Sequence, residues 1–106
     1  MTDGWIKAAD AAAFEDDDIR AAEVCGTRVC LYKVDGEIYA TDAMCTHGDA
    51  DLSLGMIVDG GLVECPLHEG TFDIRSGRAV GAPCTEPLRC HAVKVEHGVI
   101  YLRPLV

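Results

Sequence analysis

The sequence predicts an all-β protein, an antiparallel β-sandwich or barrel. Segments rich in β-forming residues recur along the chain and are separated by short turn signals. The clearest of these signals are the dipeptides Cys25-Gly26, Asp35-Gly36 and His97-Gly98. The one stretch with helical propensity, residues 9–14, is only about one or two turns long. The regular spacing of hairpins therefore favours a sandwich or barrel.

The first 42 residues predict an edge strand followed by a meander. The predicted strands of this part are residues 5–8, 19–24, 27–34 and 38–41. Residues 9–14 are interpreted as a short helical turn or loop, and the acidic run 15–18 as a solvated turn. Asp35-Gly36 favours the positive φ angles of a two-residue type I′ hairpin turn.

The second half predicts further hairpins. Its predicted strands are residues 56–58, 62–64, 71–74, 88–96 and 99–102. The turn signal Asp59-Gly60-Gly61 joins the first two of them. In residues 93–96 apolar Val93 and Val95 alternate with charged residues, as expected for a half-buried strand.

Two short motifs in the middle of the chain each carry one cysteine and one histidine. The first is Cys45-Thr46-His47, and the second, seventeen residues later, is Cys65-Pro66-Leu67-His68. Thiolate and imidazole suit zinc, copper and iron–sulfur centres. Zinc sites usually pair Cys with Cys and His with His along the chain. One residue of each type per motif favours a binuclear centre with two different irons, and zinc stays open as the alternative.

The chain resembles the Rieske family, in which two cysteines bind one iron of a [2Fe–2S] cluster and two histidines bind the other. The resemblance assigns Cys45 and Cys65 to one iron and His47 and His68 to the other. Gly48, Pro66 and the run 68–73 add to it. Similarity from end to end is to the small Rieske ferredoxins of bacterial aromatic-ring-hydroxylating dioxygenase systems, such as those for naphthalene and biphenyl.

The resemblance implies one Rieske domain over residues 1–106. A base of roughly residues 1–42 and 86–106 carries an inserted cluster-binding part of roughly residues 43–85, and the loop Gly81-Ala82-Pro83 covers a third side of the cluster. The resemblance implies an electron carrier and not an enzyme. It takes single electrons from an NAD(P)H-dependent flavoprotein reductase and passes them to a terminal oxygenase.

Composition restricts the alternatives. A net charge of -9 disfavours nucleic acid as a partner, and 106 residues are too few for both this centre and a catalytic domain. No run approaches the roughly 20 apolar residues of a membrane span, and no signal peptide is recognisable. We expect a soluble cytoplasmic protein that is a monomer in isolation. The alternatives are a small Rieske subunit of another oxidoreductase and a zinc-binding interaction module.

The other cysteines and histidines are expected to have structural roles. Cys25, Cys30, Cys84 and Cys90 lie outside the two motifs and are interpreted as small apolar residues or incidental thiols. His91 is expected to pack in or beside the sheet. His97 is expected on an exposed turn.

The resemblance also implies a low reduction potential. High-potential members of the family carry an additional disulfide and two hydroxyl donors near the cluster. The matching positions here are Ala50 and Leu67 for the disulfide, and Gly70 and Phe72 for the hydroxyls. Without those hydrogen bonds the reduced cluster is less stabilised, so the expected potential is on the order of −150 mV.

Overall fold

Residues 4–46, 50–67, 70–82 and 84–103 are described by the structure, a computed structural model. They form ten strands, which pair antiparallel throughout, and two single-turn 3₁₀ helices, Ala11–Ala13 and Leu52–Leu54. The strands are β1 (Ile6–Asp10), β2 (Ile19–Val24), β3 (Thr27–Val34), β4 (Glu37–Asp42), β5 (Met56–Val58), β6 (Leu62–Glu64), β7 (Thr71–Asp73), β8 (Ala79–Gly81), β9 (Cys90–Glu96) and β10 (Val99–Arg103).

Six of the strands form one large sheet in the order β1-β10-β9-β4-β3-β2. The two edge strands, β1 and β2, also approach each other, so the sheet curls into a nearly closed barrel. The remaining strands form a small sheet in the order β5-β6-β7-β8. The prediction of an all-β fold with a barrel-like base is confirmed.

The hairpin turns follow the local chemistry of the sequence. Asp35 and Gly36 have φ angles of 51° and 80°, and His97 and Gly98 have 51° and 78°. Positive φ at both central residues matches the right-handed twist of the flanking strands, and Asp-Gly tolerates it well. The hairpin turns of the large sheet therefore lie where the sequence predicts them, and His97 lies on an exposed turn as expected.

Strand β3 separates two cores. Val29 and Leu31 belong to the core inside the barrel, together with Phe14, Ile100 and Leu102. The alternate side chains of β3 face the second core, because successive residues of a strand point to opposite faces. These alternate residues are Cys30, Tyr32 and Val34. A strand buried on both faces is why this segment is a nearly continuous apolar run.

The second core lies between the barrel and the small sheet. It contains the two motif cysteines, Cys45 and Cys65, beside Phe72 and Leu52. The strands of the large sheet occupy residues 6–42 and 90–103, and those of the small sheet occupy residues 56–81. The division of the chain into a base and an inserted cluster-binding part stays a prediction.

Three local expectations differ from the structure. Strand β8 and the 3₁₀ helix Leu52–Leu54 were not predicted, because each is only three residues long and has no periodic pattern. Val95 is 46% exposed. It lies opposite buried Ile100 and on the same face, but next to the turn of the β9–β10 hairpin, where this face remains exposed.

Gly77 joins the small sheet to the segment that returns to the barrel, and its substitution tests this connection. Its N–H donates to the Asp73 carbonyl and its carbonyl accepts from Leu88, both at 2.7 Å. Its φ is +79°, and an added Cβ would collide with the Leu88 carbonyl oxygen. Gly98 has the same conformation, with a φ of +78°, but open space around a Cβ.

We expect Gly98→Ala to destabilise the protein by about 1 kcal/mol, the ordinary penalty for a left-handed conformation. Gly77→Ala should cost about 1–3 kcal/mol more, because the backbone of the return segment must shift. Thermal unfolding of the two purified variants measures the difference. Equal midpoints would show that the contact between Gly77 and Leu88 is not under steric constraint.

Candidate metal centre

The two motif cysteines begin loops that are closed in the same way. The first cysteine loop (residues 45–50) follows β4, and the second cysteine loop (residues 65–70) follows β6. The N–H of Cys45 donates to the Ala50 carbonyl at 2.9 Å, and the N–H of Cys65 donates to the Gly70 carbonyl at 2.8 Å. The matching bonds place both cysteines at the base of a short loop, where the backbone is held by a sheet.

The side chains of Cys45 and Cys65 meet in the protein interior. They are 2% and 1% exposed and belong to the same buried core cluster. Burial raises the pKa of the Cys65 thiol, and the Cys45 sulfur raises it further, whereas the N–H of Leu67 acts in the opposite direction. Two thiolates so close together would repel each other unless a cation lay beside both. The pair therefore fits a centre in which metal binds both sulfurs.

A third cysteine, Cys84, reaches the same place. It is buried in the same core cluster as Cys45 and Cys65. Burial and then the Cys45 sulfur raise the pKa of Cys84 to about 11. The sequence analysis treated Cys84 as incidental. Its only sequence signal is its position directly after Gly81-Ala82-Pro83, the loop that the resemblance placed over the cluster.

The segment containing Cys84 is also tied to the first cysteine loop by its backbone. The hydroxyl of Thr46, the residue after Cys45, donates to the Glu86 carbonyl at 2.7 Å. The Leu88 N–H bonds to the Gly77 carbonyl at 2.7 Å, which connects the same segment to the small sheet. Three parts of the chain therefore converge on the two motif cysteines.

The predicted histidine ligands lie outside the described residues. These are His47 and His68, and Asp49, Glu69 and Pro83 lie outside them as well. The neighbouring residues Thr46 and Leu67 are described, and both are exposed. Phe72, which was expected to pack near the site, is fully buried.

Asp51, the residue that follows the first cysteine loop, is held in place by several hydrogen bonds. Its carboxylate accepts bonds from the Ser53 N–H and hydroxyl at 2.9 and 2.6 Å, and from Arg28 Nε at 2.7 Å. Asp51 also forms a β-bridge with Met44, the residue before Cys45. Burial alone would raise the pKa of Asp51, but the bonds from Ser53 and Arg28 outweigh it and lower the pKa.

His91 is a structural residue of the barrel, as expected. Its side chain is fully buried, and Nε2 lies 2.8 Å from an Asp42 carboxylate oxygen. Asp42 is the last residue of β4, three positions before Cys45. The pair therefore anchors the end of the strand that leads into the first cysteine loop. Cys30 is also buried, Cys90 is half-buried and Cys25 is exposed on its turn.

A small all-β domain that brings buried thiols from two matching loops together has the form of an iron–sulfur protein. Comparison with protein families agrees with this class. Residues 4–92 match the family model described as Rieske [2Fe-2S] domain. The chain belongs to this family, and its cofactor is a Rieske [2Fe–2S] cluster. Such a cluster accepts and releases one electron at a time without a change of ligands.

Curated relatives match the chain almost from end to end. The ferredoxin component of the naphthalene 1,2-dioxygenase/salicylate 5-hydroxylase systems of a Ralstonia species is 42% identical over 97% of this chain and 98% of its own length. The ferredoxin component of the naphthalene 1,2-dioxygenase system of Pseudomonas aeruginosa is 45% identical over 91% of each chain. These relatives are electron carriers and not catalytic components, and this chain is of the same kind.

A solved structure shows the same fold. It is a chain from the complex of reduced oxygenase and oxidized ferredoxin in carbazole 1,9a-dioxygenase. That chain is 36% identical, with a TM-score of 0.88 over 95% of this chain and 94% of its own length. Within the described part of this protein, no helix has both the length and the apolar character needed to cross a membrane.

The lowered pKa of Asp51 predicts a pH dependence of stability. Its carboxylate stabilises the folded state when ionised, so this contribution is fully present above its unfolded pKa of about 3.9. It is lost as the pH falls through the lower folded pKa. We expect wild type to be more stable than Asp51→Asn by a constant amount above about pH 5, and the difference to shrink below about pH 4.

Thermal unfolding of both proteins between pH 3 and 7 measures this. Asp10→Asn is the matched control, because Asp10 is an exposed acid at the end of β1. A stability difference between wild type and Asp51→Asn that stays constant down to pH 3 would contradict the assignment.

Proposed function

We propose that this protein carries single electrons from an NAD(P)H-dependent flavoprotein reductase to a terminal aromatic-ring-hydroxylating dioxygenase. The observation that supports it most directly is the buried contact of Cys45 and Cys65 in a chain with the length of the ferredoxin relatives. The relatives are ferredoxin components of dioxygenase systems, and the neighbouring solved structure contains an oxygenase with its ferredoxin. A carrier needs one redox centre and surfaces for docking.

We propose the ligand set Cys45, His47, Cys65 and His68. In the family arrangement, two thiolates bind one iron and two imidazoles bind the other. The buried sulfurs of Cys45 and Cys65 support the first half of this assignment. The second half follows from the motif, in which each histidine stands two or three positions after a cysteine of the pair. Exposed Thr46 and Leu67 directly precede the two histidines.

Exposed apolar side chains support docking around the cysteine loops. Met44 precedes Cys45 and is 57% exposed, Leu67 lies in the second cysteine loop at 44%, and Val80 on β8 is 47% exposed. Each lies on one of the three parts of the chain that converge on the site. A small apolar patch on a protein with a net charge of -9 suits a partner that binds briefly and is then released. We propose that both partners dock there in turn.

We propose that the protein acts in the cytoplasm and is a monomer when alone. Cys45, Cys65 and Cys84 belong to one buried core cluster, and a reducing compartment protects such thiols from forming disulfides before the cluster is inserted. A shuttle must leave one partner to reach the next, so it forms no permanent complex with either. Gel filtration of the purified chain distinguishes this carrier from a permanent Rieske subunit, which would need its catalytic partner.

The ligand set is tested by single substitutions. Cys45→Ser, Cys65→Ser, His47→Ala and His68→Ala should each lose the cluster, because each removes one of the four donors that hold the two irons. Wild type should contain about two irons and two acid-labile sulfides per chain. Iron and sulfide analysis with visible absorption measures the outcome. Cys25→Ser, which changes an exposed thiol on a turn, is the control and should keep both. Full iron content in any of the four variants would remove that residue from the set.

The docking surface is tested by placing a charge on it. Leu67→Glu should slow reduction of a terminal oxygenase by about tenfold, the effect of losing about 1.4 kcal/mol at an interface. Val95→Glu is the matched control, because Val95 is 46% exposed but lies near the far end of β9. Stopped-flow mixing of the reduced protein with oxygenases from the relatives' systems measures the rate. Equal rates for both variants would contradict docking at Leu67. Failure of wild type with every oxygenase would contradict the proposed partner.

A further inference from the structure

A surface cleft lies beside Met44, one of the three exposed apolar residues of the proposed docking surface. The cleft has a volume of about 290 Å³, and its lining includes the end of β4, Asp51 and two arginines, Arg28 and Arg89. This volume is at the lower limit of small-molecule pockets, which hold about 300–1,000 Å³. The cleft is therefore of a size to receive a single side chain of a partner protein.

The two arginines lie on either side of the chain that leads into the first cysteine loop. The Ala43 N–H donates to the Arg28 carbonyl at 3.2 Å, and the Asp42 N–H donates to the Arg89 carbonyl at 2.9 Å. In the large sheet, β4 likewise lies between β3 and β9. Both arginines therefore border the cleft, with Ala43 and Met44 between them.

Each arginine is paired with a carboxylate that has a second partner of its own. Arg28 Nε donates to Asp51 at 2.7 Å, and Asp51 accepts two further bonds from the 3₁₀ helix that follows it. Arg89 Nε lies 3.9 Å from Asp42, whose other carboxylate oxygen lies 2.8 Å from His91 Nε2. A side chain that is already held in place loses less entropy when a partner binds. Arg28 is therefore a preorganised contact group, and Arg89 is held more loosely.

The charges around the cleft decide which side chain it suits. Two arginines, each paired with an aspartate, leave the cleft close to neutral, so it offers little attraction to a charged side chain. A carboxylate from the partner would also compete with Asp51 for Arg28. An aromatic ring avoids this competition, because it stacks on the face of a guanidinium that keeps its ion pair. Met44 lines the cleft and is 57% exposed, and its thioether packs favourably against aromatic rings.

A second copy of this chain does not supply such a ring. All six of its aromatic residues lie in the described part of the chain, and each is buried or half-buried. The ring must therefore come from a different protein. Of the two proposed partners, the oxygenase is the one present in a solved complex with a ferredoxin of this fold.

We propose that the cleft receives one aromatic side chain of the terminal oxygenase, which stacks on the Arg28 guanidinium and packs against Met44. This inference rests on the proposed function and deepens it. Aromatic side chains that fill a pocket, and the arginines they contact, supply much of the binding energy at protein interfaces. Because Met44 directly precedes Cys45, the inserted ring would fix the oxygenase beside the first cysteine loop.

The concentration of oxygenase that gives half the maximal rate in stopped-flow reduction tests the proposal. Arg28→Lys keeps the positive charge but removes the planar guanidinium, so it should raise this concentration about threefold to tenfold. The midpoint potential of the cluster should not change. Arg20→Lys is the matched control, because Arg20 is similarly exposed and also pairs with an aspartate, but lies at the opposite end of the β2–β3 hairpin. Equal half-saturating concentrations for the two variants would overturn the proposal.

Double-mutant cycles identify the side chain that the cleft receives. Exposed aromatic and acidic residues of an oxygenase from the relatives' systems are replaced one at a time, and each variant is titrated with wild type and with Arg28→Lys. One aromatic replacement should weaken docking to wild type and weaken docking to Arg28→Lys at least threefold less, because both changes remove the same contact. A loss of the ion pair with Asp51 alone would not produce this coupling. Coupling of Arg28 to an acidic residue, or to no aromatic residue, would overturn the proposal.

The unsubstituted protein tests the proposed function separately. If wild type reduces none of these oxygenases, the proposed partner is wrong and this inference falls with it. If wild type reduces them and Arg28→Lys docks as well as Arg20→Lys, only the role of the cleft is wrong. Slower reduction of Arg28→Lys by the flavoprotein reductase, with unchanged docking to the oxygenase, would also overturn the proposal, because the cleft would then serve the other partner.

Discussion

The structure depends on holding two cysteine sulfurs together in the protein interior. Water stabilises a thiolate strongly, and a buried pair of thiolates loses that stabilisation and adds mutual repulsion. Metal binding reverses both effects, but the backbone must keep the sulfurs in position for it. The bonds from Cys45 to Ala50 and from Cys65 to Gly70 do this, each at the end of a sheet strand. Both cysteine loops follow paired strands of the two sheets.

Strand β3 connects the barrel to the metal centre. Its two faces contribute to different cores, with Leu31 on the barrel side and Tyr32 on the side of the cysteines. The Tyr32 hydroxyl lies 2.7 Å from Thr41 Oγ1, and Thr41 donates its own proton to the Asp42 carbonyl. Tyr32 must therefore be the donor. This bond satisfies a buried polar pair at the end of β4, directly before the first cysteine loop.

Charge and apolar surface have different roles in a carrier of this kind. A net charge of -9 acts over distance and steers the protein towards basic surfaces. Close to the site, Arg28 and Arg89 are paired with Asp51 and Asp42. Beside these pairs, the exposed side chains of Met44 and Leu67 provide contact area. Long-range attraction speeds association with a partner, and a small apolar contact area allows rapid dissociation.

The sequence alone determined the strand order along the chain, most turns and the two cysteine–histidine motifs, because these depend on local residue types. Asp35-Gly36 specifies its own turn, and the order of Cys and His in the two motifs, together with the family resemblance, indicates the kind of centre that Cys45 and Cys65 serve. Only the tertiary structure decided that Cys84 shares a buried core cluster with Cys45, since no periodicity or motif links positions so far apart. It also decided that Val95 is exposed and that His91 pairs with Asp42. These contacts depend on how β9 and the segment between β8 and β9 pack against the two sheets. That packing is set by the whole fold.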